Sequence, residues 1–273
     1  MSASRFTGRR VLVTGASRGI GAATAERFAA EGADVAIVAR TIARHDHLAG
    51  SLNETAERMR SFGGALAVIA ADIADEHDRS RIISEAVMGL GGPIDILINN
   101  AAAGMFAPVG DFPLKRRRVI FEVNVHAPFD LAQPVLPSMI ERGEGWIVNL
   151  SSATARPLPN SAMAVYGASK AALNRLTHGL AVELMGTGVR VNTVEPRAAV
   201  MSEGAAPVIR GRVSDDQIES MEQMVEAIVA LADCPDDCTG RTCVSLDLID
   251  ELRLPVHALD GSRLLPTVKG GNP

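Results

Sequence analysis

Tyr166 is the single tyrosine of a 273-residue chain, and Lys170 follows it four positions later. On a helix, residues four apart share a face, so these two would present a phenol and an ammonium together. A phenol, with a reference pKa of about 10, is a poor base near neutral pH, and each unit of lowering needs about 1.4 kcal/mol of preferential stabilisation of the phenolate. A nearby ammonium supplies part of that in a partly desolvated site. The pair therefore suits proton transfer to or from an oxygen, with Tyr166 as acid or base. Ser152, fourteen residues earlier at the end of an apolar run, offers a hydroxyl to hold that oxygen. Ser151 is its rival, but strand alternation points neighbouring side chains to opposite faces. The plain alternative is a packed aromatic at Tyr166 and a turn residue at Ser152.

A second chemical signal lies near the amino terminus. In "VLVTGASRGIGAATAERF", Gly15, Gly19 and Gly21 fall where an apolar run gives way to helical spacing. Glycine there permits positive φ and a close approach of the backbone to a pyrophosphate, whose charge meets the N–H groups of the helix start. A tight strand-to-helix turn needs glycine anyway, so these residues alone leave nucleotide binding open. About twenty residues on, where an acid would accept the adenosine ribose hydroxyls of NAD, the chain has Ala39 followed by Arg40. Arg40 and Arg18 are two guanidinium groups able to converge on a 2′-phosphate, which favours NADP over NAD, although each also reads as an ordinary surface arginine.

These residues need elements to hold them. Short runs rich in Val and Ile recur at 10–15, 34–40, 65–72, 94–100, 145–152, 189–196 and 241–248, with helical stretches such as 21–33 and 78–90 between them. Continuous apolar strands alternating with helices predict an α/β fold whose parallel sheet is covered on both faces. No linker or repeat interrupts the pattern, so one domain spanning 1–273 is expected. The segment 197–220 lacks a clear period and reads as a substrate lid, and 248–273 as a tail. "LKRRR" at 114–118 reads as a solvated helix face.

Composition excludes several classes of function. With 47% hydrophobic and 22% charged residues and a formal charge of −5, no global basic field attracts nucleic acid. No apolar run has signal-peptide or membrane-span length, which predicts a cytoplasmic protein with no membrane partner. Cys234, Cys238 and Cys243 are an odd set unlike a disulfide framework. "CPDDC" offers two thiolates to zinc, but a structural site wants four ligands and no second pair is near, so no metal is expected.

"TGASRGIG" (14–21), "ADIAD" (71–75), "NNAA" (99–102), Asn124 in "FEVNVH", "IVNLSS" (147–152) and "YGASK" (166–170) share the order and spacing of the short-chain dehydrogenase/reductase family, which the chain resembles from about residue 8 to 196. The resemblance implies a Rossmann-type doubly wound sheet of about seven strands, a nicotinamide dinucleotide cofactor and hydride transfer between an alcohol and a carbonyl. It marks Ser152, Tyr166 and Lys170 as catalytic, with Asn124 supporting a water-linked proton route. Toward the cofactor it implies Gly15, Ser17, Arg18, Gly19, Ile20, Gly21, Arg40, Asn99, Ala101, Tyr166, Lys170 and Pro196, with Lys170 on the nicotinamide ribose. Asp72 and Ile73 would meet the adenine, although Asp72 also reads as a helix N-cap.

The pattern departs from the family after the sixth strand, where "EPRAAV" puts Arg197 in a glycine position. Either the turn is reshaped at about 1 kcal/mol or more, or it never needed positive φ. Arg197 reads as a cation beside the nicotinamide or substrate, or equally as a solvated residue of the lid. The reading is an NADP(H)-dependent reductase of a small ketone or aldehyde. A 3-oxoacyl thioester reductase and a non-catalytic NADP(H) sensor are the alternatives. Helices expected around 111–142 and 164–186 carry apolar residues on more than one face, and with the resemblance they imply a homo-oligomer, a tetramer.

Overall fold

The computed structural model describes residues 4–44, 49–157, 162–203, 213–214 and 217–262. Seven parallel strands form one sheet: β1 (Arg10–Thr14), β2 (Asp34–Ala39), β3 (Leu66–Ala70), β4 (Ile96–Asn99), β5 (Gly145–Leu150) and β6 (Val189–Glu195), with β9 (Thr242–Val244) at the edge. Their spatial order is β3-β2-β1-β4-β5-β6-β9. The order reverses between β1 and β4, which opens a crevice at the carboxyl ends of the strands. A separate two-stranded ribbon pairs β7 (Ala199–Val200) with β8 (Ile218–Glu219).

The strands are continuous apolar runs because both faces are covered. Val11, Val13, Ile96 and Ile98 point into one core, with Phe28 of α1 (Gly19–Ala30), Leu52 of α2 (Leu52–Met59), Ile228 of α7 (Met221–Leu231) and Leu248 of α8 (Ser245–Leu252). Leu12 and Leu97, one register position away, point into the other, with Ile82 of α3 (Glu76–Leu90), Leu131 of α5 (Ala127–Arg142) and Ala181 of α6 (Ala164–Glu183). Helix starts are set by side chains: Ser51 caps α2, Asp75 caps α3, and Ser220 with Gln223 makes a reciprocal capping box on α7. Residues 115–118 are exposed on α4 (Leu114–Phe121), as expected of a solvated face.

Two sequence expectations need correction. The run 241–248 is not one strand: it is strand only to Val244, and Ser245 begins α8. Leu248 and Ile249 of that helix are buried while Asp250 and Glu251 are exposed, a helical division of polarity that a strand reading misses. The segment 197–220 is not without secondary structure, since it contributes both strands of the β7–β8 ribbon; its stretches 204–212 and 215–216 lie outside the described residues, as does 263–273 of the tail.

Candidate active site

The carboxyl ends of β1, β4, β5 and β6 carry the residues singled out above. At the end of β1, Gly15 turns with φ +67°, and a Cβ there would stand 2.8 Å from the Ala101 Cα, so the chain after β4 rests directly on the glycine turn. Asn100 fixes that approach: its side chain donates to the Thr14 carbonyl (2.8 Å), and its backbone N–H and that of Ala101 both donate to Thr14 Oγ (3.1 Å each). Asn99 points elsewhere. Its amide donates to Asn149 Oδ1 (2.8 Å), and Asn149 in turn donates to Thr177 on α6, so this side chain stitches β4 to β5 and does not line the turn. Asn100, the other member of an identical pair, is thus the residue that fixes the glycine turn.

The start of α1 binds an anion. Gly19 N–H donates to the Glu203 carboxylate at 3.0 Å, although residue 203 is distant in sequence. A carboxylate at this helix start stands in for the phosphate oxygens of a dinucleotide, so the turn fits such a group. Ser17 is buried and Ile20 packs against the core beneath the turn, leaving Arg18 at its mouth. The Arg18 guanidinium donates to the carbonyls of Ala49 (2.8 Å) and Gly50 (2.9 Å) and is thereby tied to the loop after β2. Arg40 is exposed, 3.6 Å from Asp72 Oδ2. Asp72 accepts from the Ala74 backbone and is not a helix cap, a role taken by Asp75; Ile73 beside it is buried.

At the end of β5 the chain alternates as expected. Ser151 is buried toward Glu195, whereas Ser152 meets the Tyr166 phenol. Ser152 Oγ also accepts from the Thr154 hydroxyl at 3.0 Å. Gly167 explains how the phenol reaches it: a Cβ at that position would lie 2.5 Å from the Thr154 carbonyl, so α6 packs on the chain after β5 with only a hydrogen between them. Phe106 crosses the Tyr166 ring edge-on, with centroids 5.6 Å apart, and closes the other side.

Lys170 is buried one turn along α6, its ammonium donating to the Leu150 carbonyl at 2.7 Å. Burial lowers its pKa to about 8. Burial also raises the Tyr166 phenol above its ordinary value, with the Ser152 hydrogen bond opposing. One of the three Lys170 N–H donors thus goes to the strand end, and the phenol, raised by burial, keeps its proton.

Asn124 sits in a π-helical turn, Glu122–His126, between α4 and α5. It is fully buried; its Oδ1 accepts from Ala103 N–H (2.8 Å), and its amide donates to the Ala103 carbonyl (2.9 Å) and Ser169 Oγ (3.0 Å). Ser169 donates onward to the Tyr166 carbonyl at 2.7 Å. With both amide hydrogens committed, the side chain clamps the loop after β4 to the turn bearing Tyr166.

The turn after β6 runs through Pro196 to Arg197, which is not among the described non-glycine residues of positive φ. The arginine therefore costs no strain there. Its side chain pairs with Asp247 on α8 at 2.6 Å, its N–H donates to Glu219 (3.1 Å) and its carbonyl accepts from Arg156 (3.0 Å). Arg197 is thus an exposed residue whose contacts tie β6 to β8 and α8. Phe106 and Glu203 fall in segments, 103–108 and 197–220, that the sequence points to as pocket and lid, but no motif singles out either residue.

Comparison with known proteins agrees with this geometry. Residues 9–210 match the model of the short chain dehydrogenase family. A short chain dehydrogenase of Pseudocercospora fijiensis is 37% identical over 227 residues, which is 82% of this chain and 70% of that protein. Hydroxysteroid dehydrogenase-like protein 2 of Mus musculus is 30% identical over 96% of this chain, which spans only 54% of the mouse protein. Among solved structures, a gluconate 5-dehydrogenase of Burkholderia cenocepacia in complex with NADP and tartrate superposes with a TM-score of 0.76 at 28% identity, covering 91% of this chain and 98% of the other. The chain belongs to the short chain dehydrogenase family, enzymes that interconvert alcohols and carbonyls.

Proposed function

We propose that the protein transfers hydride between NADP(H) and the carbonyl carbon of a small ketone or aldehyde, with reduction as the favoured direction. The observation that carries this reading is the Ser152–Tyr166 pair above a buried Lys170, at the strand ends beside a turn that binds an anion. The dinucleotide supplies or accepts the hydride. The glycine turn, fixed in place by Thr14 and Asn100, would hold its pyrophosphate side, and Arg40 its 2′-phosphate. NADP is supported by Ala39, which brings no carboxylate to repel that phosphate, and by the NADP-bound gluconate 5-dehydrogenase.

Ser152 orients the substrate oxygen, and Tyr166 gives it a proton as the carbonyl is reduced. A phenol held above its ordinary pKa by burial arrives protonated, as that direction requires. Asn124 and Ser169 position the tyrosine, and Asn124 would support a water-linked proton route to it. The reading extends to the whole chain as one catalytic domain, working in the cytoplasm as a homotetramer; three free cysteines support the compartment.

The test is to assay purified protein with NADPH and NADH against a panel of ketones and aldehydes, beside Tyr166→Phe. NADPH-dependent turnover is expected, and Tyr166→Phe lowers it at least about a hundredfold while NADPH still binds, since general acid catalysis contributes about 10²–10⁴. A Tyr166→Phe rate within about tenfold of wild type removes the assigned acid, because that is about 1.4 kcal/mol in barrier. NADPH binding without turnover on any carbonyl points to the sensor instead. Equal or tighter binding of NADH overturns the cofactor assignment.

A further inference from the structure

The cysteine pair of "CPDDC" has no part in the site above. It lies in the loop between α7 and β9, at the opposite end of the sheet: Trp146, near the start of β5, donates its indole N–H to the Cys234 carbonyl at 3.0 Å. The loop folds back on itself. Cys238 N–H donates to the Pro235 carbonyl (3.0 Å), and the Cys234 thiol, within hydrogen-bonding reach of the Cys238 thiol, also lies 3.2 Å from the Cys238 carbonyl. Asn192 on β6 holds the fold from below through the Cys238 carbonyl (2.8 Å). Both cysteines are free; Cys234 is buried and Cys238 is partly exposed.

We propose that Cys234 and Cys238 form a peroxide-reactive dithiol, in which Cys238 is the attacking sulfur and Cys234 the resolving one. The Cys238 sulfur attacks a hydroperoxide, forming S–O as O–O breaks; the sulfur is oxidised to a sulfenic acid and the peroxide is reduced to an alcohol or, for hydrogen peroxide, water. The Cys234 sulfur then attacks the sulfenic sulfur, forming S–S as S–O breaks, and the departing hydroxide leaves as water with the Cys234 proton. Two thiols and one peroxide thus give a disulfide, an alcohol or water, and a second water.

The two sulfurs have different environments, which sets their roles. Cys238 is the more exposed sulfur, and the Cys234 hydrogen bond and the Arg241 guanidinium lower its thiol, against the burial of the site and the charge of Asp237, which favours the attacking thiolate there. Cys234 is raised by the same bond and by burial. Cys243, on β9, is pushed up to about 11 by burial and stays a bystander.

Wild-type protein is treated with one equivalent of hydrogen peroxide and digested without reduction for mass spectrometry, while Trp146, the only tryptophan, reports the loop by fluorescence. The expected result is a Cys234–Cys238 bridge with Cys243 unmodified, and a Trp146 emission change that dithiothreitol reverses. Cys238→Ser should slow peroxide consumption at least tenfold, and Cys234→Ser should leave a sulfenic acid on Cys238 that dimedone traps. Retention of all three thiols in the wild type, oxidation at Cys243 first, a bridge between two chains, or an unchanged rate in Cys238→Ser each overturn the proposal. None of these readouts uses carbonyl turnover.

Discussion

Lys170 shows what the active site costs the fold. An ammonium in a buried position is destabilising, and among the described residues the hydrogen bond that compensates it is the one to the Leu150 carbonyl. Its folded pKa of about 8 lies below the ordinary value of 10.5, so the unfolded chain holds more protons between those values, and stability from this group rises as pH rises through that window. Lys170→Met removes the titration. The variant's stability relative to wild type should be greater at pH 7 than at pH 10 by about 2 kcal/mol, read by urea unfolding at both values, with turnover lost. A difference independent of pH would show that Lys170 is not buried as an ammonium. At this scale the sequence was legible where chemistry demands one residue type: phenol, lysine and serine all meet at the strand end. It was illegible at Asn100, whose hold on the glycine turn no motif marks, because identical neighbours on a strand face opposite ways and parity depends on which residue ends the ladder.

The elements were legible for a different reason. Strands buried on both faces are written as Val- and Ile-rich runs, and all seven start within two residues of where the runs do. The failure at Ser245 came from a strand only three residues long, whose run continues into a helix without a break in hydrophobicity. Contacts between elements distant in sequence carry no local signal, and Glu203 on the α1 start is the functional case. Its carboxylate accepts from the Gly19 N–H, a donor that an arriving phosphate at this helix start would also use. An acidic group at a helix N-terminus is worth about 0.3–1 kcal/mol, and near an arriving phosphate it also repels. Glu203→Gln should therefore tighten NADPH binding about two- to fivefold in a fluorescence titration, with the fold unchanged. Weaker binding would mean that the carboxylate supports the cofactor rather than competing with it.

Glu219 marks the same region as sensitive to pH. It sits buried on β8, accepting from Ser245 Oγ and the Arg197 N–H, with Asp247 nearby and the Arg197 guanidinium as the opposing charge. Burial raises its pKa to about 7 from 4.5, so the folded state holds its proton where the unfolded chain has lost it. Stability from this group is fully present below about pH 4.5 and is lost as pH rises through 7. Glu219→Gln keeps an acceptor for the Arg197 N–H, turns its amide toward the Ser245 oxygen, which can accept, and removes the buried charge. It should stabilise the protein by about 1–2 kcal/mol at pH 8 and by much less at pH 5, with thermal unfolding as the measurement.

At the scale of the whole molecule, the surface left over by the fold argues for assembly. Phe129 on α5 and Leu176 and Val182 on α6 are each at least 40% exposed, and Phe129 and Leu176 line one groove between the two helices, of about 380 Å³. The sequence pointed to these helices because their apolar residues exceed one face, a surplus that a single chain does not cover. In a twofold contact each side chain is buried twice, once on each copy. At about 1 kcal/mol for the exposed part of each, Phe129 and Leu176 together contribute about 4 kcal/mol per symmetric contact. The double substitution Phe129→Asp, Leu176→Asp removes that and adds charges which must be desolvated, so self-association should weaken at least about a thousandfold. Sedimentation at micromolar concentration should show wild type as a tetramer and the variant as a smaller species. Because α6 also carries Tyr166 and Lys170, separation of the subunits should lower turnover as well, by loosening the helix that sets the phenol against Ser152. A wild-type chain that sediments as a monomer at that concentration, or a variant that stays tetrameric, would show that this face is not the contact.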